Sequence, residues 1–349
     1  MEKINDIIES IANEKGLDFE DVKQKVLISF INTAKRLFGQ DYEYEALYDE
    51  NAKNIKLFKK AIVGEQITLD DAKKIDLEVE NLDEIKFDIN LNEFGRTASE
   101  CLSKELNYHI QRLLEEKILK SWSNKVGSLI FGSVIHIDKD ETTFIEIDDL
   151  KVFMPRKNRI KNENFKVGDI VRAVIKRVWV DKKQGIKIEV SRTSPRFLEA
   201  MLEIQVPEIK DKNVIIKSCS RIPGRKAKVS LLSINPNIDP IGACVGVKGV
   251  RIDAVSKELN GENIDVFEYS SSPEILVSRA ISPAIANSVK IDEKKAKVYI
   301  NSDQKSKAIG KEGMNIRLAS MLSGYEIELI ENSTSENQVV KDLKSLFGE

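Results

Sequence analysis

The chain has 349 residues, enough for two or three domains, and its 41% hydrophobic content allows real cores. With 32% charged and only 6% aromatic residues it reads as several small domains facing water, and no apolar run approaches the roughly 18 residues of a membrane span. The formal net charge of −2 conceals a split, 19 basic and 26 acidic side chains over residues 1–125 against 21 basic and 8 acidic over 151–231, so a polyanion is attracted to the middle and a different partner is expected for the first part.

Cys101, Cys219 and Cys244 are scattered, with no CxxC or CxxH pair, so neither a disulfide framework nor a zinc site is supported. A reducing cytoplasm is the expected compartment. His109 and His136 are the only histidines, which weakens hydrolase readings, since His is the usual general base. Both read as structural or surface residues. No cofactor and no metal are expected.

MEKINDIIESIANEKG reads as an acidic amphipathic helix rather than a signal peptide, with Ile4, Ile7, Ile8 and Ile11 at helical spacing and Gly16 as its stop. A second helix is predicted from about Phe19 to Phe38, ended by Gly39. YEYEALYDENAKNIKLFKKAIV reads as two strands about a Glu-Asn turn, and KFDINLNEF as one more. Gly95 opens a long helix whose apolar face is Leu102, Leu106, Ile110, Leu113, Leu114 and Ile118. The acid pairs Asp70-Asp71 and Asp148-Asp149 read as solvated turns or caps.

Gly127 begins a different texture, alternating apolar and polar residues between turn signals, which fits a small barrel of about five strands. Basic residues cluster on it, Arg172, Lys176, Arg177 and Arg192 among them, and Phe131, Phe144, Phe153 and Trp179 are available for stacking. Basic groups near aromatics on a small barrel suit single-stranded nucleic acid. After the helix SPRFLEAMLEIQVPEI come two strands joined by the basic turn RIPGRKAK, which carries Arg225 and Lys226.

A repeat then appears. IGACVG is a short helix, Gly246-Val247-Lys248-Gly249 a loop, VRIDAVSKEL a second helix and ENIDVFEYS a strand. After the strand-like AKVYINS, the chain reads QKSKAIGKEGMNIRLASMLSGYEIELI, with Gly310-Lys311-Glu312-Gly313 in the same place. A tandem repeat is far harder to obtain by accident than one glycine pair. Neither loop fits GxxxxGK[ST] or GxGxxG, which sets aside the usual nucleotide cradles. Glycine permits close backbone approach, and the following helix offers free N–H groups and the positive end of its dipole. Such a loop is the phosphate clamp of the KH domain. Lys248 and Arg251 add charge at the first loop. At the second, Lys311 adds charge and Glu312 subtracts it, while Asn315 and Arg317 follow at the helix start. The first copy reads α-β-β-α-α-β, the prokaryotic KH topology.

With these residues in view the chain resembles the bacterial NusA family of transcription factors. INLNEFGRTASECLSKELNYHIQRLLEEK is similar to the family's domain-joining helix, EVSRTSPRFLEAMLEIQVPEI to its barrel-to-KH passage, and SRIPGRKAKVSLLSINPNIDPIGACVGVKGVRIDAVSKELNGENIDV and AIGKEGMNIRLASMLSGYEIEL to its two KH domains. The resemblance implies a multidomain α+β fold: an N-terminal RNA-polymerase-binding domain with its connecting helix over 1–125, an OB-type RNA-binding barrel over 127–193, and KH domains over 194–280 and 281–349. It implies a monomer without catalytic activity that binds RNA polymerase, nascent single-stranded RNA and other antitermination factors, and that alters pausing, intrinsic termination and antitermination. The expected RNA-binding residues are Gly246, Val247, Lys248, Gly249, Arg251, Gly310, Lys311, Glu312, Gly313, Asn315 and Arg317, with Arg225 and Lys226 from the basic turn and Arg172, Lys176 and Arg192 from the barrel. The alternative is a ribosome-associated RNA-binding protein, disfavoured by the acidic first segment. An RNA-processing enzyme is a remoter reading, because residues 1–125 hold no cluster suited to catalysis.

Overall fold

A computed structural model describes residues 4–73, 80, 82–90, 95–148, 150–181 and 185–331. By its internal contacts the chain divides into two compact units, one running to Trp122 and including Val180–Ile186, the other made of Ser123–Trp179 and the residues from Lys187 onward.

In the first unit, α1 (Ile4–Lys15) and α2 (Phe19–Phe38) are separated by Asp18, whose carboxylate caps α2 by accepting from the Glu20 and Asp21 amides. Their apolar stripes close over Ile110 and Leu113 of α4 (Gly95–Ser123), making a core of Ile8, Ala12, Val22 and Val26. The antiparallel strands β1 (Glu43–Asp49), β2 (Asn54–Ile62) and β3 (Glu84–Asp88) form a sheet in that order. The predicted strand KFDINLNEF is strand only in its first residues, and 91–94 lie outside the described residues. The four-residue α3 (Leu69–Ala72) was not anticipated, and Asp71 takes part in its Thr68 cap. Asp149 also lies outside the described residues.

The apolar face expected of α4 is interrupted by Glu105, which is 6% exposed. Arg36 reaches Glu105 Oε1 at 2.7 Å and Asn32 Nδ2 donates to Oε2 at 3.1 Å. His109 Nε2 stands 3.7 Å from the same carboxylate, and burial lowers its affinity for a proton. His109 is a member of a packed polar cluster, which agrees with its structural reading.

In the second unit, β4 (Leu129–Ile137), β5 (Thr143–Ile147), β6 (Leu150–Met154), β7 (Ile170–Asp181) and β8 (Gly185–Ser191) close a barrel in the order β4-β5-β6-β8-β7. Its interior is filled by side chains such as Val134, Ile145, Val152, Met154, Ile175 and Ile188.

Two α-β-β-α-α-β modules follow. The first comprises α5 (Pro195–Gln205) with the short α6 (Pro207–Lys210), β9 (Val214–Ile222), β10 (Lys226–Ser233), α7 (Pro240–Val245), α8 (Val250–Glu258) and β11 (Asn263–Glu268). The second comprises α9 (Pro273–Ala280), β12 (Ser288–Asp292), β13 (Lys295–Ile300), α10 (Ser302–Ile309), α11 (Met314–Ser323) and β14 (Glu326–Glu331). In each sheet the middle strand pairs antiparallel with the strand before it and parallel with the last. Strand β12 escaped the sequence reading although Val289 and Ile291 alternate with polar residues, because five residues at a sheet edge give only two half-buried apolar positions.

The barrel and the first module share one core. Ile160 and Val174 of the barrel lie in the same buried cluster as Phe197, Leu198, Leu202, Val229 and Leu259. The two modules meet through Phe267, Ala280, Ala319 and Leu322. Polar ties reinforce both junctions: Arg221, paired with Glu262 at 2.8 Å with both side chains fully buried, donates through Nη1 to the Arg192 carbonyl at 2.7 Å, and Lys228, also fully buried, donates to Asp265 at 3.0 Å and to the Ser282 carbonyl at 2.6 Å. Burial pushes the Lys228 ammonium below the usual lysine range, against the opposing pull of Asp265.

Candidate nucleic-acid interface

The two glycine loops are near copies in backbone. Gly246 and Gly310 have φ/ψ of 75/172° and 71/175°, Lys248 and Glu312 have 53/25° and 55/26°, and Gly249 and Gly313 have 79/7° and 71/11°. Three of four residues therefore sit at positive φ, and the outer two are glycine, the residue that adopts it without strain. Gly246 and Gly310 are also sterically required, since a Cβ there would stand 2.8 Å from Arg251 Cγ and 2.7 Å from Asn315 Cβ. Each loop is closed by one backbone bond, Gly249 N to Gly246 O at 3.1 Å and Gly313 N to Gly310 O at 3.2 Å. No side chain caps α8 or α11, so the first turn of each helix presents its amides beside the loop.

Arg251 and Asn315 occupy equivalent positions and turn inward. Arg251 Nη1 donates to the Ala243 carbonyl at 2.6 Å and to Glu208 at 2.9 Å. Asn315, 2% exposed, donates to the Lys307, Ala308 and Ile281 carbonyls at 3.3, 3.1 and 2.9 Å. Ala243 and Lys307 each stand three residues before the first glycine of their loop, so both modules brace the loop against the preceding helix in the same way. Arg251 Nη1 and Asn315 Nδ2 are thus turned to the loop's own frame, although the Arg251 side chain stays a third exposed and the buried Asn315 Oδ1 finds no partner among the described residues. Lys248, Lys311 and Arg317, by contrast, are exposed and form no ion pair with a described acid. Val247, at the loop tip, is 84% exposed.

The barrel residues divide likewise. Arg192 is 4% exposed and is held by Glu163 at 2.7 Å, Glu258 at 3.0 Å and the Arg172 carbonyl at 2.6 Å. Its place among the RNA-contacting residues is corrected, since it stitches the barrel to α8 from inside. Arg172 remains half exposed while pairing with Glu258 at 3.0 Å. Lys176 keeps part of its surface while donating to Asn158 at 3.0 Å and to the buried Glu189 at 3.3 Å. Burial works to raise the Glu189 carboxyl, but hydrogen bonds from Asn158, Arg177 and Lys176 outweigh it and hold the group below the usual range. In the basic turn, Lys226 pairs with Asp265 at 2.8 Å, and Arg225 forms a two-pronged pair with Glu312 at 2.6 and 2.7 Å.

The sequence missed a ring contact across the barrel. His136 is the register partner of Phe144, and Phe144 of Phe153. His136 stacks on Phe144 with ring centroids 5.8 Å apart, Trp179 meets Phe153 edge-on at 5.7 Å, and the Arg177 guanidinium lies 4.4 Å from the Trp179 ring centre. Strand alternation identified the phenylalanines, but only the pairing register brings His136 into their row. Phe131, opposite Arg172 and 71% exposed, lies outside the row.

Comparison with known proteins agrees with this arrangement. Family models for the NusA N-terminal domain, the NusA-like first KH domain and the NusA-like second KH domain match residues 3–117, 192–269 and 273–337. A transcription termination/antitermination protein NusA from Helicobacter pylori strain J99 is 40% identical, with 99% of this chain and 100% of the relative aligned. Its namesake in Thermus thermophilus is 34% identical over 94% of this chain and 90% of the relative, and that of Bacillus subtilis 30% identical over 93% and 89%. On that near full-length identity, the chain belongs to the NusA family, whose members are transcription regulatory factors and not enzymes.

Proposed function

We propose that this protein is a transcription elongation factor that binds RNA polymerase and nascent RNA and thereby modulates pausing, intrinsic termination and antitermination. The observation that carries the RNA half is the pair of near-identical glycine loops, each rigidly braced from behind, each with an exposed lysine and an uncapped helix start. Backbone amides beside a close-approach glycine, reinforced by lysine, suit successive phosphates of a single strand. Lys248, Lys311 and Arg317 supply charge, and Gly246, Val247, Gly249, Gly310 and Gly313 shape the clamp. The aromatic row on the barrel, flanked by Lys176 and Arg177, offers stacking for bases.

The division of labour follows charge. Residues 1–125, with 26 acidic against 19 basic side chains, form the polymerase-binding module. Residues 127–193, 194–280 and 281–349 form the barrel and the two KH modules that take RNA, and other antitermination factors join on the assembled complex. The protein acts as a monomer in the cytoplasm. No described helix is long and apolar enough to cross a membrane.

Co-sedimentation tests the assignment. The full chain should travel with RNA polymerase carrying a nascent transcript and crosslink to that transcript, and Lys248→Glu should weaken the crosslink while the polymerase association persists. Co-sedimentation with ribosomes instead would contradict the reading.

A further inference from the structure

The two glycine loops match in backbone but differ in charge at one position. Lys248 and Glu312 occupy the same left-handed site, at φ 53° and 55°. The lysine is exposed and has no ion-pair partner among the described residues, whereas the glutamate is engaged from another domain. Its partner Arg225 stands on the turn between β9 and β10, in the first KH module, and grips both carboxylate oxygens at 2.6 and 2.7 Å.

The base of Arg225 is fixed. Its amide donates to the Ile222 carbonyl at 3.0 Å and its carbonyl accepts from Asn263 at 3.1 Å. The neighbouring Gly224 amide donates to the buried Glu262 at 2.8 Å. The guanidinium itself is open, with the Arg225 side chain 42% and the Glu312 side chain 57% exposed. A planar guanidinium binds a carboxylate and a phosphate with the same two-pronged geometry. An exposed pair of this kind is weak enough to exchange.

Building on the RNA-binding reading above, we propose that the second loop's phosphate site is composite: Lys311 contributes from the loop, Arg225 reaches in from the first KH domain, and Glu312 occupies the Arg225 fork as a stand-in for phosphate until RNA displaces it. Arg225 thus supplies to the second loop the charge that Lys248 supplies to the first. The arrangement favours strands that span both domains, because Arg225 is fixed to one and serves the other. It also exacts a penalty on any anion too weak to displace a carboxylate.

The test is a double-mutant cycle on the full chain, using a single-stranded RNA of about 12 nucleotides, longer than the roughly four that one loop holds. Glu312→Gln frees the guanidinium, so RNA affinity should rise about three- to fivefold, the scale of an exposed ion pair. The dependence of log K on log salt should stay close to that of the wild type, because Arg225 meets the same phosphate in both complexes, and should become shallower by about 0.7 in Arg225→Gln, which loses that contact. Arg225→Gln should remove that gain, leaving Glu312→Gln with almost no effect in its presence. Equal tightening by Glu312→Gln with or without Arg225 would show plain charge repulsion and overturn the stand-in. Unchanged affinity in Glu312→Gln, with the wild type binding normally, would overturn it too, while leaving the RNA-binding reading in place. A wild type that fails to bind the RNA would overturn both. Matching thermal melts of the variants and wild type are expected, since both side chains are exposed.

Discussion

Arg251 and Asn315 show how one structural need is met by two unlike side chains. Both reach back to a carbonyl of the helix preceding their loop, one with a guanidinium and one with an amide. Removing Asn315 strands carbonyls that its amide now satisfies, so Asn315→Ala should cost about 1–3 kcal/mol of stability, measured by denaturant unfolding, with the loop loosened rather than discharged. A second residue-scale prediction concerns Glu189. Its carboxyl is held below the ordinary value, so it stabilises the fold above that value, and the contribution disappears as pH falls through the lowered one. Wild type should therefore lose more stability than Glu189→Gln between neutral pH and about pH 3.5, and parallel losses would contradict the geometry. Neither residue's role is visible in the local pattern around it. Lys248 could be read as an exposed charge because it sits between glycines on a turn. Arg192 looked equally available but lies in the interior, and no local pattern reports that Glu163 and Glu258 converge on it from distant parts of the chain.

At the scale of elements, the glycine loops were legible because spacing, charge and flanking periodicity all recur, and a repeat carries its own control. The first module was legible in outline, since the Pro-Gly turn separates β9 from β10 and the helix after them opens on the clear cap Asp239 with Pro240. Strand β12 was not, because its five residues supply only two apolar positions, Val289 and Ile291, both half-buried. The barrel strands were legible as strands, but their closure and the His136–Phe144–Phe153 row depend on register, which is set between segments rather than within one. The functional weight of the first loop can be measured directly. Lys248→Gln should weaken single-stranded RNA binding about three- to tenfold across unrelated sequences and reduce the salt slope by about 0.7, the signature of one lost phosphate contact. A sequence-selective loss would instead mean that Lys248 reads bases.

On the scale of the whole molecule, the charge asymmetry between the first and middle segments was visible at once, yet its meaning changes on folding. Much of the middle segment's positive excess is neutralised internally: Arg159 pairs with Glu141, Arg192 with Glu163 and Glu258, Arg221 with Glu262, and Lys226 and Lys228 with Asp265. The exposed basic groups at the loops without an ion-pair partner among the described residues, Lys248, Lys311 and Arg317, are fewer than the composition suggests and better placed. The shared core of barrel and first KH module was likewise hidden from the sequence, because Ile160 and Val174 complete a cluster whose other members come from another module. That core joins the barrel to the first KH module, and Phe267 with Ala280, Ala319 and Leu322 joins the first module to the second. Capture of nascent RNA by the barrel and KH modules during transcription should be read in the lifetime of a hairpin-stabilised pause by the cognate RNA polymerase. The protein should lengthen the pause, and Lys248→Glu should shorten it again while the protein stays bound to polymerase. An unchanged pause in the presence of wild-type protein that still binds RNA would contradict it.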